Sequence, residues 1–219
     1  MNLNFTKARE SMVENQLRPN KIKEKEILNC FRIIEKENFI TGGNKSICYS
    51  DKDFKISSSR GYLKNLHLAQ IITNAKIKKT DKVLHVGGLT GYLTIIISKI
   101  CKKVFVIENE DKNLLILKNY IENKTMDNIE IIRKDLLNGY VQESPYDIII
   151  IDCPIYHLNN DYLDQLNNNG GRLIYIQKIS QHISKAYRIT KYLKSYTNEY
   201  LFDVFSNLSI DMLKEEFKF

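Results

Sequence analysis

Lys82-Val83-Leu84-His85-Val86-Gly87-Gly88-Leu89-Thr90-Gly91-Tyr92 is the stretch from which the fold can be read. Val83 to Val86 is an apolar burst of buried-strand type, and Tyr92 to Ile100 is an apolar stretch long enough for a helix. A glycine-bearing turn joins them. Such a step places free backbone N–H groups beside a helix N-terminus, over the carboxyl end of the strand, which suits a polar or anionic ligand head. Glycine fits there because a side chain blocks close backbone approach or because the turn needs positive φ. Gly87, Gly88 and Gly91 do not have the G-x-G-x-x-G spacing of a dinucleotide fingerprint, which argues against an NAD-dependent oxidoreductase.

The same grammar continues outward from this stretch. Lys103-Val104-Phe105-Val106-Ile107 is a second strand, ending at Glu108. An acidic residue at the second strand tip, about 20 residues past the glycine turn, suits a ribose diol, although a hydrated strand end gives the same pattern. Asn113 to Ile121 has helical spacing, and Ile129 to Ile132 is a third strand followed by Asp135. Asp147-Ile148-Ile149-Ile150-Ile151-Asp152 is almost wholly apolar, as expected of a central strand buried on both faces. Tyr162 to Leu166 reads as a short helix, Asn169-Gly170-Gly171 as its cap and turn, and Arg172 to Ile176 as a fifth strand. The expected fold is a doubly wound, mainly parallel α/β sheet of Rossmann-like type, with a ligand crevice at the strand carboxyl ends.

The N-terminal third is different. Phe5 to Leu17, Ile22 to Ile34 and Asn65 to Ala75 have helical spacing, with Arg18-Pro19-Asn20 as a break and Gly42-Gly43-Asn44 as a loop. Asp51 to Tyr62, with Ser57, Ser58 and Ser59, has neither period. The division is a helical extension over 1–80 on the substrate side and a Rossmann-like domain over 81–219. Residues 180–219 are obscure, apart from a strand candidate at Tyr200 to Phe205. The net charge of +7 lies entirely in the first third: residues 1–82 carry 17 Lys+Arg against 9 Asp+Glu, and residues 83–219 carry 16 against 17. Such a basic region attracts acidic substrates or nucleic acid, or is a solvated surface.

With 219 residues and 43% hydrophobic content, the chain can build one sizeable core. No apolar run approaches the roughly 20 residues that span a bilayer, and Met1 to Arg18 has no secretory h-region, so a cytoplasmic protein without membrane partners is expected. Cys30, Cys48, Cys101 and Cys153 are scattered, without metal-ligand spacing, and read as buried thiols.

Val83 to Tyr92 resembles the cofactor motif of class I S-adenosylmethionine-dependent methyltransferases. Met12-Val13-Glu14-Asn15-Gln16-Leu17, Tyr49-Ser50-Asp51, Ser144-Pro145-Tyr146-Asp147, Leu163-Asp164-Gln165-Leu166 and Gly170-Gly171-Arg172-Leu173 narrow the resemblance to the bacterial branch of the protein-L-isoaspartate O-methyltransferase family, over roughly residues 5–180. The resemblance implies S-adenosyl-L-methionine as cofactor and methyl esterification of isoaspartyl carboxylates in damaged proteins as the reaction. It places Gly87, Gly88, Leu89 and Gly91 under the methionine part of the cofactor, Glu108 at the ribose, and Asp135 and Leu136 at the adenine. Ser59, Arg60, Leu63, Lys64 and Asp152 are the substrate-side candidates, with Arg60 or Lys64 as a cation for the substrate carboxylate.

Three departures stand out. His85 replaces an acidic residue of the motif, and reads as a core histidine satisfied by a backbone group. Leu89 stands where the motif has glycine. The family's Gln-Thr-Ile-Ser signature, expected within Ser59 to Leu66, is absent, and Leu63 or Lys64 takes the serine's place. Alternatives are therefore an impaired family member acting as a binding or regulatory protein, and a methyltransferase with another protein or an RNA substrate. The assembly reads as monomer or homodimer.

Overall fold

The structure, a computed structural model, describes residues 4–40 and 45–210. The expected loop at Gly42-Gly43-Asn44 lies outside the described residues. Seven strands form one sheet in the order β5-β4-β3-β6-β7-β8-β9. The first five in that order, β5 (Ile129–Arg133), β4 (Lys103–Glu108), β3 (Lys82–Val86), β6 (Ile148–Ile155) and β7 (Asn169–Lys178), run parallel. β8 (Ile183–Tyr192) and β9 (Ser195–Phe205) extend β7 as an antiparallel meander. The doubly wound, mainly parallel sheet expected from the apolar runs is what forms. The chain order reverses between β3 and β6, which opens a crevice at their carboxyl ends.

Burial explains why these runs became strands. Every residue of β6 is buried, as is all of β3 after Lys82 and all of β4 after Lys103. These strands have helices or further chain on both faces, so their side chains need no polar alternation. α4 (Tyr92–Ile100) and α5 (Asp111–Lys124) cross over between the parallel strands. α4 is buried at every residue but Lys99, so it has almost no solvated face.

At the N-terminus, α1 (Phe5–Met12) continues as a wider π-type turn over Val13–Leu17, and α2 (Lys25–Ile33) follows. α3 (Asn65–Ala75) packs against β6, β7 and β8, and α2 packs against α4, so this layer rests directly on the sheet. All four cysteines are buried and free, as expected from their scatter.

Two expectations are corrected, one is extended, and one strand is new. The segment from Asp51 to Tyr62 is not irregular: β1 (Phe54–Lys55) and β2 (Gly61–Tyr62) pair as a small antiparallel hairpin. The N–H groups of Ile56 and Ser57 both donate to the Arg60 carbonyl, closing its turn. Asn169 to Gly171 belongs to β7 and makes a bulge against β8, where position 171 needs glycine, since a Cβ there would lie 2.5 Å from the Asn167 carbonyl oxygen. The predicted strand at Tyr200 to Phe205 is the second half of an 11-residue edge strand. β8 was not anticipated. Two of its four buried positions are Ser184 and Lys191, beside Ala186 and Ile189, so its apolar alternation is interrupted. Among the described residues, no helix is long and apolar enough to cross a membrane.

Candidate active site

The glycine turn after β3 sits at the carboxyl end of the sheet, as expected, but its N–H groups are already engaged. Gly87 N–H donates to the Ile107 carbonyl at 2.9 Å and Gly88 N–H to the same oxygen at 3.4 Å. Leu89 N–H donates to Glu108 Oε2 at 2.8 Å. The turn thus spends its donors on clamping β3 to β4, which corrects the expectation of free amides.

The three glycines have different reasons. A Cβ on Gly88 would lie 2.3 Å from Val106 Cγ2, and one on Gly91, where φ is +104°, would lie 2.4 Å from Leu117 Cδ1. Both serve the packing of the turn against β4 and α5. Gly87 faces the crevice. There φ is +75°, and a Cβ would meet Ile210 Cδ1 at 2.9 Å, Arg60 Nη2 at 3.3 Å and Leu136 Cδ1 at 3.4 Å. Leu89 adopts φ +50°, a left-handed conformation that disfavours a branched side chain, and is nevertheless buried.

A second clamp comes from the N-terminal layer. Tyr92 N–H donates to Tyr62 Oη (3.1 Å), Tyr62 bonds Thr90 Oγ1 (2.7 Å), and Thr90 donates to the Phe39 carbonyl (2.5 Å). All of these groups are buried. This chain satisfies the first N–H of α4 with a phenol instead of a ligand. Tyr62→Phe strands that N–H in the interior, and a loss of about 1–3 kcal/mol is expected in urea unfolding. Wild-type stability in the variant would contradict it.

Glu108 lies at the tip of β4, fully buried. Arg60 grips it with two parallel bonds, Nη1 to Oε1 at 2.8 Å and Nη2 to Oε2 at 2.7 Å. Oε1 also accepts from Asn109 N–H and Glu110 N–H, both at 3.0 Å. Burial pushes the carboxyl up, but the Arg60 ion pair and these backbone donors prevail and hold it below the usual carboxylate range. Arg60 is 7% exposed and reaches Asn109 Oδ1 and Glu110 Oε1 as well, each at 3.1 Å.

The other expected residues are spread around this point. Asp135 accepts from Leu137 N–H at 3.0 Å and is exposed just beyond β5, while Leu136 is buried and its side chain reaches the space over Gly87. Asp152 is buried on β6 with Oδ1 3.4 Å from His85 Nε2. His85 Nδ1 meets Thr94 Oγ1 at 2.9 Å, so its partner is a side-chain hydroxyl and not the expected backbone group. A carboxylate therefore still flanks β3, supplied from the neighbouring strand.

The substrate-side candidates are not brought together. Leu63 is fully buried and presents nothing to a ligand. Lys64 Nζ pairs with Asp51 at 3.3 Å, and Arg60 is committed to Glu108. Ser59 is exposed on the hairpin turn, where its carbonyl accepts from Ser209 N–H at 2.8 Å. The sequence missed Ile210, whose N–H donates to the Pro154 carbonyl at 2.8 Å and whose side chain covers Gly87. A single isoleucine in an unassigned tail carries no signal of that place.

A glycine that admits close approach, a carboxylate on the next strand and an apolar Leu136 wall are the chemistry an adenosyl group requires. In this conformation the crevice does not admit one. The Glu108 oxygens are saturated, and Arg60 and Ile210 fill the space over Gly87.

Comparison with known proteins agrees with the architecture. The family model described as protein-L-isoaspartate(D-aspartate) O-methyltransferase (PCMT) matches residues 7–202. A protein-L-isoaspartate O-methyltransferase of Brucella anthropi is 30% identical over 171 residues, covering 78% of each chain. Protein-L-isoaspartate O-methyltransferase 2 of Shewanella sediminis is 28% identical over 170 residues, covering 78% of this chain and 69% of that one. A solved protein-L-isoaspartate O-methyltransferase superposes with a TM-score of 0.77 at 23% identity, over 92% of this chain and 67% of that one, which shows the shared fold. By sequence over most of its length, the chain belongs to the protein-L-isoaspartate O-methyltransferase family, whose cofactor is S-adenosyl-L-methionine.

Proposed function

We propose that this chain methylates the free carboxylate of isoaspartyl residues in damaged proteins, using S-adenosyl-L-methionine. The observation that carries this reading is the family match over residues 7–202. Gly87 and Glu108 at adjacent strand tips support it. Gly87, Gly88, Leu89 and Gly91 form the turn beneath the cofactor in this reading, Glu108 takes the ribose, and Asp135 and Leu136 flank the adenine. The sulfonium brings its own leaving group, and a carboxylate is ionised at neutral pH. The protein therefore has to align the reacting atoms and exclude water, without a general base. Loss of the signature serine removes one orienting group and leaves that principle intact.

The N-terminal extension over 1–80 is the substrate side in this reading. A cleft of ≈ 560 Å³ opens beside the β1–β2 hairpin, lined by Asp53, Lys55, Lys64, His182 and Leu208 among others. It offers cations and hydrogen-bonding groups to a peptide without being charged in one sense only. The four free buried thiols suit a reducing, cytoplasmic setting. The assembly in this reading is a monomer or a homodimer.

The deciding experiment is radiolabelled methyl transfer to an isoaspartyl peptide, with the matching aspartyl peptide and tRNA as controls. Label on the isoaspartyl peptide alone is the expected result. Label on tRNA would move the chain to the nucleic-acid methyltransferases. Label on none, with cofactor demonstrably bound, would favour the second reading, a binding or regulatory member of the family. The burial of Leu63 near the family serine's place is what keeps that reading in view.

A further inference from the structure

We propose that Arg60 and Ile210 form an intramolecular latch on the cofactor crevice, and that S-adenosyl-L-methionine binds only by displacing them. The inference rests on the cofactor reading above and concerns how that site is regulated. Arg60 holds both Glu108 oxygens, the acceptors that a ribose diol needs. Ile210 Cδ1 and Arg60 Nη2 occupy the space that glycine at position 87 leaves open. Two ligands cannot share one carboxylate whose remaining lone pairs already accept from Leu89, Asn109 and Glu110.

The two parts of the latch come from distant places in the chain and are tied to each other. Arg60 sits on the β1–β2 turn. Ile210 follows β9. Ser209 N–H donates to the Ser59 carbonyl, and Ser206 Oγ donates to Asp53 Oδ2 at 2.5 Å. Lys178 Nζ anchors the same segment through the carbonyls of Ser206 (2.6 Å) and Leu208 (3.1 Å). The hairpin and the tail therefore form one cover over the carboxyl ends of β3, β4 and β6. Cofactor affinity is the intrinsic affinity of the crevice reduced by the fraction of molecules with the cover lifted.

The test uses the full chain and S-adenosylhomocysteine, measured by calorimetry. Arg60→Ala and Ile210→Ala are each expected to tighten binding, Arg60→Ala by about tenfold or more. Arg60→Lys, which keeps one charged contact and loses the fork, should fall between wild type and Arg60→Ala. Amide exchange of wild type supplies a second readout. Ligand addition should speed exchange of Ser57 and Ser209, whereas a ligand that simply packs against an existing cover should slow it. If Arg60→Ala fails to fold, Ile210→Ala and the exchange data decide.

Equal affinity in all variants overturns the latch and leaves the cofactor reading standing. No binding by any of them, including Ile210→Ala, overturns both. Tighter binding by Ile210→Ala, with no methyl transfer to the isoaspartyl peptide by that variant or by wild type, supports the latch and removes the substrate reading.

Discussion

Glu108→Ala is expected to cost about 3 kcal/mol of stability and to abolish cofactor binding. The guanidinium of Arg60 is nearly as buried as the carboxylate it holds. Deleting one partner of a buried ion pair leaves a charge stripped of both water and counter-charge, which typically costs about 3–5 kcal/mol. The lower end applies because Glu110, 40% exposed, and Asn109 still touch Arg60. Leu89, Asn109 and Glu110 also lose the acceptor for their N–H groups. The double variant Arg60→Ala/Glu108→Ala removes the stranded charge and should be more stable than the sum of the two single changes implies. Urea unfolding of the four proteins measures this. Strict additivity would show that the pair is not coupled, and the ion pair would then be no part of the fold's stability.

The second large effect concerns Lys36. Its side chain is fully buried, bonded through Nζ to Asn65 Oδ1 at 2.9 Å and lying 5.3 Å and 5.2 Å from the ring centroids of Tyr62 and Tyr92. Burial pushes its ammonium down to about 8, against weaker opposing pulls from Cys48 and Asp53. In the unfolded chain it titrates near ~10.4. Between these values the unfolded state holds a proton that the folded state has released, so stability rises with pH across that window on this group's account. Below pH 8 the folded protein carries the full penalty, roughly 3 kcal/mol at about 1.4 kcal/mol per unit.

Lys36→Met removes the penalty and keeps most of the volume. The stability advantage of the variant over wild type should therefore be greatest near pH 7 and shrink by roughly 3 kcal/mol toward pH 10. Taking the difference cancels the titrations of the buried tyrosines and cysteines that both proteins share. Cys48, pushed up to about 11 chiefly by burial, stays protonated in the folded state through most of that window. A difference that does not change with pH would show that Lys36 keeps its charge in the interior, or that water reaches it.

The core of the sheet was legible because the cause was local. Runs such as Ile148 to Ile151 have no polar alternation, and only a strand covered on both faces tolerates that. The limits of α3 and α4 were readable for a related reason: apolar spacing begins and ends at Asn65, Ala75, Tyr92 and Ile100, where the helices do. The glycine turn and Glu108 were found from their distance along the chain, which the βαβ unit fixes. β8 was hard to read because its buried positions, Ser184, Ala186, Ile189 and Lys191, include two polar side chains, and Lys191 is satisfied by the Leu163 carbonyl. A polar side chain that finds its partner in another element leaves no mark on its own segment.

Sequence by itself determined the parallel sheet, the crevice at its carboxyl end and the family, because strand burial and helix periodicity are written in neighbouring residues. Only the tertiary structure decided what stands in the crevice. Arg60 and Glu108 are 48 residues apart, and Ile210 comes from the far side of the sheet. Their meeting depends on the hairpin and the tail folding over the same strand ends, and a spacing rule cannot express that geometry.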